Sequence, residues 1–362
     1  MKILCIIQCS NLGGMEQSKL NSLKILKEQG HEVCFYSLNP VGQLSKLLEK
    51  YNIPIFGTTK YKAMGLGNIL EIVKFINNYR PDRIWLSGHN FGSLIASRIC
   101  NVPTYLSIHF HHADRSFLLW RLFYFLTDLF SVKVHFVSDF IYSEVSSLFR
   151  KKNKPVVFTN MFDKPKINVD KSDARNLLNI DENDFLIGNA GWLIKRKAFD
   201  VFIETAALVV KEIPDAIFLI AGDGEEKDNL VAQAEQLGIK NRIIFLGWQE
   251  DLSTFYHAID VLLFNSNFDA LGRSPLEAVV REALLVASVT NGGLKEYIRH
   301  GMDGFLIDHH DPAQLSDEII RLHHLGESES IQKQKKRAKQ RVLTLGSKER
   351  HILNVNEFLE LE

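Results

Sequence analysis

FLIAGDGEEKDNLVAQAEQLGIKNRIIFLGWQEDLSTFYHAIDVLLFNS, residues 218–266, shows the pattern that decides the fold of this chain. Three short apolar runs end in glycine, asparagine or serine turns, and longer stretches with helical spacing separate them. Such alternation is typical of parallel strands that are connected by helices on the faces of the sheet. The stretch therefore predicts an α/β fold with a doubly wound parallel sheet.

The same alternation extends through both halves of the chain. At 362 residues the chain is long enough for two domains, each with its own core. The polar segment MFDKPKINVDKSDAR, residues 161–175, contains proline and has no clear period, so we interpret it as an interdomain linker. We predict one doubly wound domain over residues 1–163 and a second over residues 175–346. The predicted strands are KILCIIQC, HEVCFYSL, DRIWLSG, TYLSIHF, KVHFVS and PVVFT in the first half, and DFLIGNAG, FLIAGDG, IIFLGW, DVLLFNS, LLVASVTNGG and FLID in the second.

Composition excludes several classes of protein. Lysine plus arginine and aspartate plus glutamate both number 43, so no net charge attracts the whole protein to nucleic acid. No apolar run reaches the roughly 18–20 residues that span a bilayer. The four cysteines form no CxxC pair, and three of them lie in apolar, strand-like runs. We interpret them as buried thiols in a reducing compartment and expect a cytoplasmic protein.

Several predicted strands end where glycine begins. Ligands bind outside the carboxyl ends of the strands in open α/β sheets, so these glycine-bearing segments are predicted to line one binding site. The turn GDGEEK lacks the third glycine of a dinucleotide fingerprint and carries two carboxylates, which makes an NAD site a poor fit. The segments at this edge are GNAGW, AGDGE, LGWQ, FNSNFDALG and TNGG.

Two carboxylates stand eight residues apart in NSNFDALGRSPLEAVV, residues 265–280. Asp269 follows a predicted strand, Gly272 allows close backbone approach, and Pro275 suits the start of a helix. Glu277 is then predicted in the first turn of that helix, where it can accept hydrogen bonds from ribose hydroxyls beside the free backbone amides. On spacing alone, the preferred explanation is that Glu277 only complements the helix dipole.

This region resembles the Glu-x7-Glu region of retaining, metal-independent glycosyltransferases with two facing Rossmann-like domains, the GT-B architecture of family 4, also called group 1. Members of this family commonly have the sequence Glu-Gly-Phe-Gly-Leu-Pro-x-Leu-Glu-Ala. A strand follows it, and after the strand come the patterns Gly-Gly-x-x-Glu and Gly-x-x-Gly. The order and spacing are kept here, with aspartate in place of the first glutamate. The matching residues are Asp269, Gly272, Glu277, Gly292, Gly293, Glu296, Gly301 and Gly304.

Other segments resemble the same family. GWLIKRKAFDVFIE, residues 191–204, is similar to its Gly-Arg-Leu-x-x-x-Lys-Gly loop, whose arginine and lysine hold the donor diphosphate. Lys197 matches the lysine, whereas Trp192 occupies the arginine position, so Lys195 or Arg196 is expected to supply the missing charge. NLGGMEQ matches the glycine loop that follows the first strand, with Gly13 and Gly14.

The resemblance implies a retaining hexosyltransferase that needs neither metal nor cofactor. The C-terminal domain is expected to bind a nucleotide-sugar, with Glu277 on the ribose, Lys197 and Arg196 on the diphosphate, and Asp269 on the sugar. The N-terminal domain is expected to bind a surface-polysaccharide, lipopolysaccharide or lipid-linked acceptor, and a helix over residues 347–362 to return to it. A nucleotide-sugar epimerase of the same architecture and a catalytically inactive binding subunit are the alternatives.

Three histidines and an aspartate stand close together in HFHHAD, residues 109–114. Their spacing fits neither a helical i,i+4 pair nor HxHxDH, so zinc is the less favoured interpretation. The resemblance instead implies that His109 contacts the transferred sugar. His111 and His112 are then expected on the acceptor side or at the surface.

The aromatic segment over residues 115–131 predicts a helix with a wide apolar face. That face is explained either by packing against the sheet or by peripheral contact with the inner face of the cytoplasmic membrane. Periodicity does not separate the two.

Overall fold

The computed structural model describes residues 1–11, 13–58, 66–110, 117–149, 154–162, 169–289 and 292–361. The chain divides into two compact units. The N-terminal unit consists of Met1–Met161 together with Lys348–Glu362, and the C-terminal unit is Phe162–Ser347. The last helix of the chain therefore belongs to the N-terminal unit.

The described part of the N-terminal unit contains one parallel sheet in the order β3-β2-β1-β4-β5-β6-β7. The order reverses between β1 and β4, so the loop after β1 lies at the switch point where such sheets bind ligands. The strands are β1 (Lys2–Ile7), β2 (Glu32–Ser37), β3 (Ile55–Gly57), β4 (Arg83–Ser87), β5 (Thr104–Ile108), β6 (Lys133–Phe136) and β7 (Val156–Val157). The helices are α1 (Gly14–Glu28), α2 (Leu44–Lys50), α3 (Leu66–Tyr79), α4 (Phe91–Ile99), α5 (Phe117–Leu129) and α6 (Asp139–Val145), with a short 3₁₀ helix over Ser146–Leu148.

The described part of the C-terminal unit repeats this plan with a parallel sheet in the order β10-β9-β8-β11-β12-β13. Its switch point lies between β8 and β11. The strands are β8 (Leu186–Ala190), β9 (Ile217–Ala221), β10 (Ile243–Gly247), β11 (Val261–Ser266), β12 (Leu284–Val289) and β13 (Phe305–Ile307). The helices are α7 (Lys171–Leu177), α8 (Phe199–Glu212), α9 (Lys227–Gln236), α10 (Ser253–Ala258), α11 (Arg273–Val280), α12 (Leu294–Tyr297), α13 (Pro312–Leu325) and α14 (Glu329–Leu345), with 3₁₀ helices over Lys195–Lys197 and Lys240–Arg242.

Each unit has its own core, as expected for strands covered on both faces. In the N-terminal unit Cys5 pairs in register with Phe35 and Trp85 at the centre of the sheet. The closing helix α15 (Lys348–Leu359) adds the buried Phe358, whose ring centre lies 6.2 Å from that of Trp85. In the C-terminal unit Phe218 is fully buried among aliphatic and aromatic side chains.

The two doubly wound parallel sheets confirm the predicted α/β class. All predicted strands occur, with ends shifted by a few residues, whereas β3 was not predicted. The aromatic segment forms α5, in which Trp120 and Phe123 pack into the core and Leu118 and Phe125 are exposed. No helix in the described ranges has both the length and the hydropathy needed to cross a bilayer.

Candidate active site

Asp269 and Lys197 come together at the carboxyl edge of the C-terminal sheet. Asp269 follows β11 and Lys197 follows β8, the two strands that flank the switch point, and their side chains form an ion pair. The second carboxylate oxygen of Asp269 accepts a hydrogen bond from the Gly272 backbone N–H at 3.0 Å. Gly272 has φ +77°, a left-handed conformation that favours glycine, and it precedes α11.

The carboxyl group of Asp269 is held in its ionised form. Burial raises its pKa, but the charge and hydrogen bond of Lys197 and the hydrogen bond from Gly272 lower it by more, so the pKa lies below its usual value. Only 19% of the Asp269 side chain and 16% of the Lys197 side chain are exposed. The pair is therefore accessible to a ligand but partly shielded from water, which strengthens charge interactions.

Arg196 lies beside this pair. Its Nη1 donates to the Phe268 carbonyl at 3.1 Å, and its own carbonyl accepts from the Asn267 N–H at 2.9 Å. These bonds join the β8 loop to the β11 loop. The structure thus brings two of the predicted diphosphate ligands, Lys197 and Arg196, to the same place as Asp269 and Gly272.

Glu277 does not lie in the first turn of α11, and that prediction is wrong. The helix begins at Arg273, two residues before Pro275, because the left-handed Gly272 redirects the chain earlier than the proline suggested. Glu277 is consequently in the second turn, where its carboxylate accepts from Arg273 Nε at 2.6 Å. Its side chain remains 23% exposed, so it can still contact a ligand.

Two buried amide side chains near this edge have unused hydrogen-bonding capacity. Asn189 in β8 leaves Nδ2, and Asn265 in β11 leaves both Nδ2 and Oδ1, without a hydrogen bond to any described residue. Buried polar groups usually have partners, and exceptions are common where a polar ligand or an ordered water binds. Asn265 is an addition to the residues that the sequence identified.

In the N-terminal unit the glycine loop starts α1. Gly13 is the N-cap in extended conformation, and Gly14 is the first helical residue. A Cβ on Gly13 would lie 2.5 Å from Glu16 Oε2, so a larger residue at this position would displace the end of the Glu16 side chain. Burial raises the pKa of Glu16, whose carboxylate also accepts from the Cys9 thiol at 3.4 Å.

His109 directly follows β5 and is only 8% exposed. Its Nε2 has no hydrogen bond to any residue that the structure describes. Burial is the main cause that holds the pKa of His109 well below its usual value, and Lys19 and His135 lower it further. His109 is therefore a neutral imidazole at neutral pH.

A buried network lies beneath His109. Trp85 Nε1 donates to Ser107 Oγ at 2.7 Å, Ser107 Oγ lies 2.9 Å from His135 Nδ1, and His135 Nε2 lies 2.7 Å from the Phe158 carbonyl. The carbonyl only accepts, so His135 carries its proton on Nε2, and Ser107 donates to Nδ1. The His135 ring centre is 6.1 Å from that of His109.

Lys19 adds a buried cation to this network. It is 2% exposed, and its Nζ lies 3.5 Å from the centre of the Trp85 ring. Burial lowers the pKa of Lys19 to about 7. Lys19 and His135 were not identified from the sequence, although Lys19 lies four residues before Leu23 on the apolar face of α1, an arrangement that could have indicated its burial.

The zinc interpretation stays a prediction, because most of the residues on which it rests are not described. His111, His112 and Asp114 lie outside the described residues. Among the residues that are described, no group of three or more histidine, cysteine, aspartate or glutamate side chains is arranged to hold a metal ion.

Residues 170–341, just under half of the chain, match the family model described as glycosyl transferases group 1. The match covers the C-terminal sheet and both loops that carry Lys197 and Asp269. The recognition made from these motifs is thereby confirmed.

Three known proteins show how far the similarity extends. The chain is 33% identical over 123 residues to the lipopolysaccharide core biosynthesis glycosyltransferase LpsE of Rhizobium meliloti, a match that covers 34% of this chain and 35% of LpsE. It is 23% identical over 331 residues to an Escherichia coli UDP-Gal:alpha-D-GlcNAc-diphosphoundecaprenol alpha-1,3-galactosyltransferase, covering 86% of this chain and 85% of that protein. The crystal structure of Anabaena HepE in complex with UDP and glucose matches with a TM-score of 0.86 at 22% identity over 99% of each chain. The HepE match establishes the GT-B fold.

Proposed function

We propose that this protein transfers a hexose or hexosamine from a UDP-sugar to a surface-polysaccharide, lipopolysaccharide or lipid-linked acceptor, with retention of configuration. The observation that carries the proposal is the cluster of Lys197, Arg196, Asp269 and Gly272 at the carboxyl edge of β8 and β11. Two cations and a helix N-terminus suit a diphosphate, and a fixed carboxylate beside them suits sugar hydroxyls.

The named relatives support the choice of donor and acceptor. HepE was crystallised with UDP and glucose, the E. coli relative is named for UDP-galactose and a diphosphoundecaprenol acceptor, and LpsE is named for the lipopolysaccharide core. The LpsE match spans about a third of that protein, so its activity enters here only as a proposal.

In the proposed reaction the bond between the sugar and the diphosphate breaks, with its electron pair leaving on UDP. The oxygen of an acceptor hydroxyl bonds to the anomeric carbon on the same face, and the hydroxyl proton passes to the leaving diphosphate. Lys197, Arg196 and the backbone N–H groups at the start of α11 stabilise the charge that develops on the leaving UDP. Because these groups supply the positive charge, the proposal requires neither a metal ion nor a cofactor. Glu277 is proposed to accept hydrogen bonds from the ribose, and Asp269 from the sugar.

The N-terminal unit is proposed to bind the acceptor. The neutral imidazole of His109 is buried, and its Nε2 makes no hydrogen bond within the described part of the chain, which suits a hydrogen bond to a hydroxyl of the transferred sugar. Backbone N–H groups of the Gly13–Gly14 loop, at the start of α1, are proposed to approach the leaving phosphate.

The test of this function is turnover with defined donors. Purified protein is incubated with radiolabelled UDP-glucose, UDP-galactose and UDP-N-acetylglucosamine, each with EDTA and with Mn²⁺. We expect slow UDP release from one donor, which a glycan or lipid-linked acceptor accelerates and EDTA does not stop. Epimerised donor would establish the epimerase instead, binding without turnover would establish a binding subunit, and dependence on Mn²⁺ would disprove the metal-free mechanism.

The exposed face of α5 is proposed to contact the surface of a membrane. Opposite the buried Trp120 and Phe123, this helix exposes a row of large apolar side chains, with Arg121 among them. An apolar face with a basic residue suits the boundary between headgroups and acyl chains, where a lipid-linked acceptor would lie. The exposed apolar residues are Phe117, Leu118, Leu122, Phe125 and Leu129.

The double variant Leu118→Glu/Phe125→Glu is expected to lose most binding to phosphatidylglycerol vesicles, because two charges would enter the apolar layer. Vesicle co-sedimentation measures the effect. Leu353→Glu is the matched control, since Leu353 on α15 is 70% exposed and Leu118 is 74% exposed. Equal sedimentation of all three proteins with vesicles, or of none, would contradict the membrane contact.

A further inference from the structure

Two tryptophans are paired at the carboxyl edge of the C-terminal sheet. Trp192 follows β8 and Trp248 follows β10, and their ring centres lie 4.6 Å apart at an interplanar angle of 38°. Trp192 is 43% exposed, whereas Trp85 and Trp120, the other two tryptophans of the chain, are at most 4% exposed. Pairing therefore does not bury Trp192, and the C-terminal core does not account for it.

The loops that carry this tryptophan pair are joined to the neighbouring loop after β9 by backbone hydrogen bonds. Gly191 N–H donates to the Ala221 carbonyl at 3.0 Å, and Gly222 N–H donates to the Gly247 carbonyl at 2.8 Å. These bonds join the segments after β8, β9 and β10. A Cβ on Gly222 would collide with the Gly191 carbonyl, so the segments are also in close contact. The indole rings are thus preorganised, and a ligand that stacks on them has little ordering cost to overcome.

The same loop that carries Trp192 carries the cations of the proposed diphosphate site. Lys197 is five residues further along, and it reaches Asp269 on the side of β8 opposite to β10. The sheet edge therefore presents a flat aromatic surface on one side of the β8 loop and positive charge on the other. A ligand that fits both must join a flat ring to an anion, as a nucleoside diphosphate does.

We propose that Trp192, supported by Trp248, stacks against the nucleobase of the donor. The inference rests on the proposed function and adds a residue that binds the nucleobase of the donor. An indole has one N–H donor and no charge, so Trp192 has no means of neutralising the diphosphate itself. Its contribution is a π-face for the planar base, while Lys197 and Arg196 hold the anion.

The variant Trp192→Ala tests the stacking. We expect about tenfold weaker binding of both UDP and uridine, measured by calorimetry, which is about 1.4 kcal/mol. Trp192→Phe keeps an aromatic face and is expected to recover most of the affinity. Uridine, which lacks phosphate, separates stacking from charge, so Lys197→Ala is expected to weaken UDP binding but leave uridine binding nearly unchanged.

Tryptophan fluorescence supplies a second measurement on the wild type. Trp85 and Trp120 lie buried in the N-terminal unit, so quenching by uridine is expected to come from the tryptophan pair, and Trp192→Phe should reduce it. If the wild type binds UDP and Trp192→Ala binds it equally well, the stacking is wrong and the proposed function is unaffected. If Trp192→Ala lost glucose binding but kept uridine binding, Trp192 would instead be a residue that binds a sugar. If the wild type binds no UDP, the donor proposal itself fails.

Discussion

Replacing His109 by alanine is expected to reduce transfer by about a hundredfold or more and to leave UDP affinity nearly unchanged. The imidazole is buried, and its Nε2 has no described partner, so the proposed hydrogen bond to the sugar is its principal polar contact. UDP itself carries no transferred sugar. Turnover with the true donor and calorimetry with UDP measure the two effects separately, and thermal unfolding shows whether the variant folds.

The pH dependence of kcat/KM tests the role of His109 in a second way. Burial first, and then the charges of Lys19 and His135, hold the pKa of His109 well below its ordinary value, so the neutral form persists as the pH falls through about 6.5. Lys19→Met removes one of these charges and raises the pKa of His109. The acid limb of the kcat/KM profile is expected to move to higher pH in this variant, whereas a purely structural role of Lys19 would leave its position unchanged.

Two results would contradict the assignment of His109. Full activity of His109→Ala would exclude both the sugar contact and a metal role. Loss of stoichiometric zinc from the purified variant, together with loss of activity, would support the zinc interpretation of residues 109–114. Loss of UDP affinity equal to the loss of turnover would show that the histidine contacts the nucleotide.

The strands of both sheets were predictable because buried parallel strands are continuous apolar runs with clear ends. The exception is β3, whose three residues at the sheet edge are too short to show any period. The start of α11 was misplaced because Pro275 gives a strong local signal for a first turn, whereas the left-handed conformation of Gly272, which starts the helix earlier, leaves no such signal in the sequence. Local signals thus locate elements better than they locate their ends.

The candidate site was predictable to the extent that it consists of loops at strand ends. Lys197 and Asp269 follow two neighbouring strands, and strand order alone brings them to one edge. Other residues, among them Lys19 and Trp248, were missed because their environment depends on distant partners. Lys19 acts through Trp85 in another element, and Trp248 acquires a role only beside Trp192, 56 residues earlier in the chain. No spacing rule in a single sequence records such contacts.

The ion pair between Lys197 and Asp269 allows one test in which the two partners respond differently. Without donor, Asp269 neutralises the cation that the diphosphate is proposed to bind. Lys197→Ala is expected to weaken UDP binding by about 10- to 100-fold, because a charge-assisted phosphate contact is lost. Asp269→Asn removes the competing carboxylate, so UDP affinity is expected to stay equal or to rise. Calorimetry with UDP compares the two variants.

The Asp269→Asn variant is expected to lose turnover although it keeps UDP affinity, because the substitution removes the charge proposed to hold the sugar. The asparagine side-chain oxygen can keep the hydrogen bond from Gly272, so the start of α11 is preserved. A fall of about a hundredfold in transfer, with UDP affinity retained, would therefore reflect the lost charge and not a misfolded loop.

Asp269→Glu restores the residue that is usual in the family, yet it is also expected to impair transfer. The extra methylene group would push the carboxylate past the position set by Lys197 and Gly272, and a displacement of about 1 Å costs on the order of a hundredfold in rate. Asp269→Asn is expected to be the more severely impaired of the two. A faster Asp269→Glu enzyme would show that the site is not adapted to aspartate. Equal inactivity of the wild type and both variants with every donor would identify a binding subunit, because a site without catalysis has no turnover to lose.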